Sequence, residues 1–193
     1  MYVLAEQDRE QLMMRSTECL DEGSSIEDKI KTAQHLYDLW SDQLKREPHI
    51  HQLIGKLERC LEKSRAAMLE LGIVETCKHC DKEEGGSCCG AGLENKFDTF
   101  LLLMNLLLGV SLPEGHRRPD SCYLLTDRGC RLKVRLVLCV DFLCPKILNT
   151  MSQGDLIRLQ EVSGDELTTG FVLYDVIKKF LRNKKRTPVN VYE

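Results

Sequence analysis

No stretch of this chain is apolar for long enough to cross a bilayer. The longest apolar run, FLLLMNLLLGV from Phe100 to Val110, falls well short of the roughly 20 residues that a spanning helix takes. It reads instead as a buried core helix. The amino terminus, MYVLAEQDREQLMM, lacks the basic start and apolar centre of a secretory signal. That predicts a reducing, cytoplasmic compartment. A net charge of -3 gives no general pull toward nucleic acid or a membrane surface. There is no long repeat, no nucleotide-binding glycine motif and no radical-type C-x3-C-x2-C run. No Ser-His-Asp set can be picked out either. These absences point away from an enzyme and leave a soluble globular chain of one domain, or one domain with a helical extension. Its 193 residues, 42% hydrophobic and 30% charged, suffice to bury a core without covalent staples.

Cysteine is what the chain has in excess. There are ten, and in a reducing compartment clustered cysteines point to metal or redox chemistry rather than to disulfides. Eight of them fall between Cys77 and Cys144. Cys77 and Cys80 form a C-x2-C pair, a spacing with which one tight turn delivers two thiolates to one metal. It also serves as a redox pair in thioredoxin-like folds, but no βαβ pattern surrounds it here. Cys88 and Cys89 are adjacent and flanked by glycines. Neighbouring side chains on extended backbone point to opposite faces, so two adjacent thiolates serve two metals, or two irons of one cluster, more easily than one ion. Cys122, Cys130, Cys139 and Cys144 follow. On an unbroken helix the last two would stand about 140° apart; a backbone turn before Pro145 would let them share a site. On this reading the segment CKHCDKEEGGSCCGAG is half of a centre, and the vicinal pair is where its two halves join.

The flanks read as helix. Ile26, Ile30, Ala33, Tyr37, Trp40 and Leu44 make one apolar stripe, and Ile50, Ile54, Leu57, Leu61, Met68 and Leu71 a second. Pro48 separates them, which predicts an antiparallel hairpin. Ser24 with Glu27 reads as a capping box, and Gly72 as a C-terminal stop. An earlier helix is expected from about Leu4 to Leu20. Asn95 and Gly109 should bound the buried central helix. Thr126 to Gly129 reads as a turn, and CRLKVRLVLCV after it as a short strand. Near the end, Ser163 with Glu166 reads as another capping box, leading a helix whose apolar face is Leu167, Phe171, Tyr174, Ile177 and Leu181. The basic cluster from Lys178 to Arg186 lacks interleaved aromatics and reads as a helix end favoured by its dipole rather than as a nucleic-acid patch. Cys19 and Cys60 lie in helical segments and read as core thiols. His79 and His116 are alternative ligands, as are Asp81, Glu83 and Glu84 for a hard cation; with eight thiols present, exposed loop roles suit them better.

The order C-x2-C, CC, then C-x7-C-x8-C-x4-C resembles the YkgJ-type cysteine-cluster family, the CxxCxxCC proteins described as zinc- or iron-chelating. CYLLTDRGC is similar to the family's middle segment, and Cys139 and Cys144 match its closing pair. The likeness spans Cys77 to Pro145, with a longer gap before the CC pair and no Arg-Pro step in the family's place. It implies metal binding, not a reaction.

The expectation is a mainly α protein: a helical region over 1–72, a cysteine-cluster metal-binding region over 73–150 and a C-terminal helix with a basic tail over 151–193. Within it, Cys77, Cys80, Cys88, Cys89, Cys122, Cys130, Cys139 and Cys144 hold zinc or an iron–sulfur cluster. Softness admits both, and the spacings match neither a ferredoxin run nor a plain zinc ribbon. Electron transfer, or service as an accessory to a modification enzyme, is the alternative role. A protein partner is expected, of undefined kind and without a membrane, and homodimerisation through the hairpin is the alternative to an internal one.

Overall fold

The computed structural model describes residues 23–83, 88–116 and 118–186. The helix expected over 4–20, and Cys19 with it, lies outside these residues. The chain is mainly α-helical, with a single two-stranded antiparallel sheet among the described residues. No helix among them is long and apolar enough to cross a membrane.

The hairpin forms as its stripes predict. Helix α1 is Ile26–Arg46 and α2 is Pro48–Glu70. One residue joins them: Glu47 closes α1 and opens α2 with the same extended backbone, φ -67° and ψ 119°. Proline at 48 bars Glu47 from helical geometry, yet is welcome at the first position of the next helix, where its missing N–H would have no partner anyway. The Glu47 carboxylate accepts the Ile50 N–H at 2.7 Å, so the joint supplies its own cap. At the start of α1 the cap sits one residue later than expected. Ser25, not Ser24, accepts the Asp28 N–H, and its hydroxyl donates to the Asp28 carboxylate at 2.8 Å. Gly72, with φ +71°, ends α2 as predicted, in a backbone region that side chains other than glycine's resist.

Helix α3, Ile73–Glu83, follows at once. The turn expected around the C-x2-C pair is therefore a correction: Cys77 and Cys80 lie on a continuous helix. Helix α4, Thr99–Leu107, is the apolar run, buried on nearly every side. Its cap is Asp98, which accepts the Leu101 N–H at 2.8 Å, while Asn95 lies in a 3-10 turn, Leu93–Lys96, just before it. Strands β1, Leu125–Thr126, and β2, Gly129–Cys130, pair antiparallel around the predicted turn. The strand expected through residue 140 stops at Cys130. Beyond it the chain is irregular up to two short helices, α5, Val137–Asp141, and α6, Pro145–Leu148.

The last helix, α7, runs from Gln153 to Arg186. It starts ten residues before the capping box read from Ser163 and Glu166. At its head Ser152 does the capping, accepting the Asp155 N–H and donating to the Asp155 carboxylate at 2.7 Å. Ser163 and Glu166 lie mid-helix and buried. The buried face also differs from the expected one. Leu159, Ser163, Glu166, Thr169, Leu173, Ile177 and Leu181 are inside, and Phe171 is 72% exposed. That face packs along α2, where Cys60 and Thr169 meet at 3.8 Å and Arg158 pairs with Glu70. A side chain at Gly170 would stand 3.9 Å from both Leu57 and Val134, so α2, α7 and the segment after β2 converge there. Of the basic cluster, Lys178 sits over the Phe100 and Tyr174 rings and Lys179 pairs with Asp175.

Candidate metal centre

Helix α3 lays Cys77 and Cys80 one turn apart, a spacing that puts both on one face. It packs beside α6, at whose head stands Cys144, extended at φ -71° and ψ 160°. The backbone turn required between Cys139 and Cys144 is present: α5 ends at Asp141, and Pro145 opens α6. Cys77 and Cys144 pack with Ala67, Met68, Ile73, Val140, Ile147 and Leu159 in a small apolar cluster of their own. Burial pushes the Cys77 thiol up to about 11, and the charges of Cys88, Cys144 and Cys80 add to the rise. Lys146 points its ammonium at the Cys80 sulfur, 3.8 Å away.

A second gathering forms around the hairpin. The Cys122 N–H donates to the Cys89 carbonyl at 2.8 Å, and Gly90 bridges Ser121 beside it. Cys130 lies across the β-ladder from Leu125. The Leu124 N–H supports the Cys122 sulfur, the Leu132 N–H supports Cys130, and the Leu136 N–H supports Cys139. Backbone N–H groups aimed at sulfur in this way stabilise thiolate over thiol. Burial works against them and is the larger effect. It raises Cys122 to about 11 and lifts Cys130 and Cys139 as well. Cys89, Cys122, Cys130 and Cys139 all pack on the main core.

Cys88 and Cys89 are reduced and hydrogen-bonded to each other. That bond draws Cys88 down to about 6 and pushes Cys89 up, with burial and the charges of Cys88, Cys130 and Cys139 adding to the rise in Cys89. Among the described residues, no three His, Cys, Asp or Glu side chains already stand around a common point as an ion would hold them. What the fold supplies is a set of thiols of which burial raises five, Cys77, Cys89, Cys122, Cys130 and Cys139, toward the protonated form. A cation reverses that balance, because a metal ion deprotonates the thiols it binds.

Two arginines fit this chemistry. Arg65 on α2 donates to the Leu132 carbonyl at 2.9 Å. Burial lowers its proton affinity, and the nearby positive Arg135 lowers it further. Arg135 in turn acts on Cys77, Cys130 and Cys139. Its Nε is buried without a partner, and its contact with Glu166, at 3.9 Å, is an ion pair rather than a hydrogen bond. The Glu166 carboxylate supplies one negative charge to this pair of guanidiniums. Thiolates around a metal would add more.

Three further side chains hold the thiol-bearing loops. Asn105, wholly buried in α4, donates to Leu101 and Val134 carbonyls at 2.9 Å each and accepts the Lys133 and Val134 N–H groups at 2.8 and 3.0 Å. Glu94 accepts the Gly92 N–H at 3.0 Å and the Tyr123 N–H at 3.3 Å. Asp81 takes Arg118 in a bidentate pair at 2.8 and 3.2 Å, which ties α3 to the approach to Cys122 and identifies Asp81 as a strut rather than a cation ligand. His116 is an exposed loop residue bonded to the Ser121 carbonyl at 2.8 Å and tilted on Tyr123. His79 is exposed on α3. Cys60 lies with Thr169, apart from the eight. Of these supports, only Asn105 had a signal in the sequence: it is the one polar residue within FLLLMNLLLG. No family model, curated protein or solved structure matches the chain.

Proposed function

We propose that this is a metal-binding protein whose Cys77, Cys80, Cys88, Cys89, Cys122, Cys130, Cys139 and Cys144 thiolates hold zinc or iron–sulfur. The observation that carries the reading is the packing of these thiols in two neighbouring groups, with backbone N–H groups supporting Cys122, Cys130 and Cys139 and the Lys146 ammonium beside Cys80. A chain that wanted only small apolar side chains at these points would have no use for either. The resemblance to the YkgJ-type cysteine-cluster proteins, which lies in the order of the cysteines, supports the same reading. When bound, the metal would neutralise the thiolates and lend its binding energy to the folding of the loops. Zinc would make the role structural, or one of storage and delivery. A second reading, electron transfer by an iron–sulfur cluster, is favoured by the exposure of Cys88, which brings the centre to the surface.

Anaerobic purification with a visible spectrum and metal and sulfide assays separates these. Broad visible absorption with stoichiometric iron and sulfide selects the cluster, and reversible reduction then selects electron transfer. A colourless protein with stoichiometric zinc selects the structural or storage role. A protein that takes up neither metal with its cysteines reduced contradicts the proposal.

A further inference from the structure

We infer that the eight thiols form two adjoining four-thiolate centres that interleave along the sequence. Cys77, Cys80, Cys88 and Cys144 make one, and Cys89, Cys122, Cys130 and Cys139 the other, each taking one soft, thiol-loving metal centre. This rests on the metal-binding reading above and goes beyond it in saying which thiols share a site. The order of the sequence suggests a different division, with the first four cysteines in one half and the last four in the other. The fold exchanges Cys89 for Cys144.

Two geometric observations support the exchange, and a third, the placing of charge, agrees with them. The first is backbone pairing. Cys89 is bonded through its carbonyl to Cys122, whose hairpin carries Cys130, whereas Cys144 heads the short helix α6 that lies against α3, which carries Cys77 and Cys80. The second is packing. Cys77 and Cys144 belong to one apolar cluster, and Cys89, Cys122, Cys130 and Cys139 to the other. The third is charge. The Lys146 ammonium lies 3.8 Å from the Cys80 sulfur of the first set, and Arg65, bonded to the Leu132 carbonyl two residues beyond Cys130, is near enough to act on Cys130 in the second. Arg135 lies between, near enough to act on Cys77, Cys130 and Cys139. Four thiolates around a divalent ion keep a net negative charge, so each centre has a cation of its own and they share one more. Cys88 also makes the two sets adjoin, since it is bonded to Cys89 and its charge reaches both Cys77 and Cys139. The vicinal pair is thus the wall between the centres, one thiol on each side. This resolves the chelation problem that two adjacent cysteines pose for a single ion.

The division is tested on the full chain, stripped of metal, reduced and titrated anaerobically with Co2+, whose thiolate charge-transfer absorption reports a four-thiolate environment. Two ions per chain are expected. The double variants Cys77→Ser/Cys144→Ser and Cys122→Ser/Cys130→Ser should each keep half of the four-thiolate signal, and Cys139→Ser/Cys144→Ser should keep none. A division in sequence order reverses the first and last results: Cys139→Ser/Cys144→Ser would keep half and Cys77→Ser/Cys144→Ser none. That pattern would overturn the inference while leaving the metal reading intact. Failure of the unmutated chain to bind any cobalt would overturn both. Because a double variant can misfold, the unmutated chain gives a second measurement: alkylation of the thiols at increasing Co2+, mapped by peptide mass. Thiols should become protected in the two stated sets of four, and protection that crosses the sets contradicts the division.

Discussion

The helices α1, α2 and α7 and the segment from Cys88 to Leu148 share one apolar core but differ in how much they lean on polar struts. The helices meet through continuous apolar faces: Leu44, Ile50, Leu57, Leu173, Ile177 and Leu181 are almost wholly buried, and each is worth roughly 1.5–3 kcal/mol out of water. The cysteine-bearing segment has a two-residue ladder, two helices of one turn or little more, and only one element that is buried throughout, α4. Its loops pack on the main core through Phe97, Tyr123, Leu124, Leu132 and Val134 and are further fixed by single polar side chains, Asn105, Glu94, Arg65 and Asp81. Hydrophobic area is non-directional and survives local change, whereas a polar strut either holds its loop or does not. On the proposed metal-binding reading, binding of the thiols would order this segment more than the helical frame.

Leu57→Ala, in the frame, should have the largest effect: a loss of about 2–5 kcal/mol in urea unfolding followed by circular dichroism, from a cavity between α2 and α7. The metal content of the folded fraction should not change. Asn105→Leu should come next, at about 1–3 kcal/mol, because it leaves the Lys133 and Val134 backbone groups buried without partners. Unlike the frame variant, it should also weaken metal uptake, measured by competition with a chelator, since those groups fix the chain between Cys130 and Cys139. Ser163→Ala should do least. Its hydroxyl is buried without a partner, so stability should hold or rise slightly. A helix-capping serine would instead lose about 1 kcal/mol, and a loss of that size at Ser163 would contradict the mid-helix position.

The frame was legible where the signal is local. The apolar period placed α1 and α2, and Pro48 and Gly72 marked their ends, because those residues act on backbone angles within a turn. The misreadings arose where distant packing decides. Ser163 and Glu166 have capping-box spacing, but α7 had already begun at Ser152, so the same residues face inward against α2 and Arg135. Phe171 fits an apolar stripe, yet the true buried face contains Ser163, Glu166, Thr169 and Gly170, which no hydrophobic pattern picks out. At the candidate centre, the spacing of the cysteines singled out the eight thiols proposed as ligands. It could not sort them, because their neighbours are set by the Cys89–Cys122 pairing and by α3 lying on α6. The arginines gave no signal either, since Arg65 and Arg135 meet only after α2 and the segment following β2 are packed.

If the eight thiols hold metal, that metal orders the cysteine-bearing centre and not the helical frame. Hydrogen exchange on the full chain, with metal bound and after removal by a strong chelator under reducing conditions, tests it most directly. Protection should fall across 88–96 and 118–148, while α1, the first half of α2 and the part of α7 from Leu173 to Leu181 keep theirs. Equal loss of protection in frame and centre, or none in either, would contradict it.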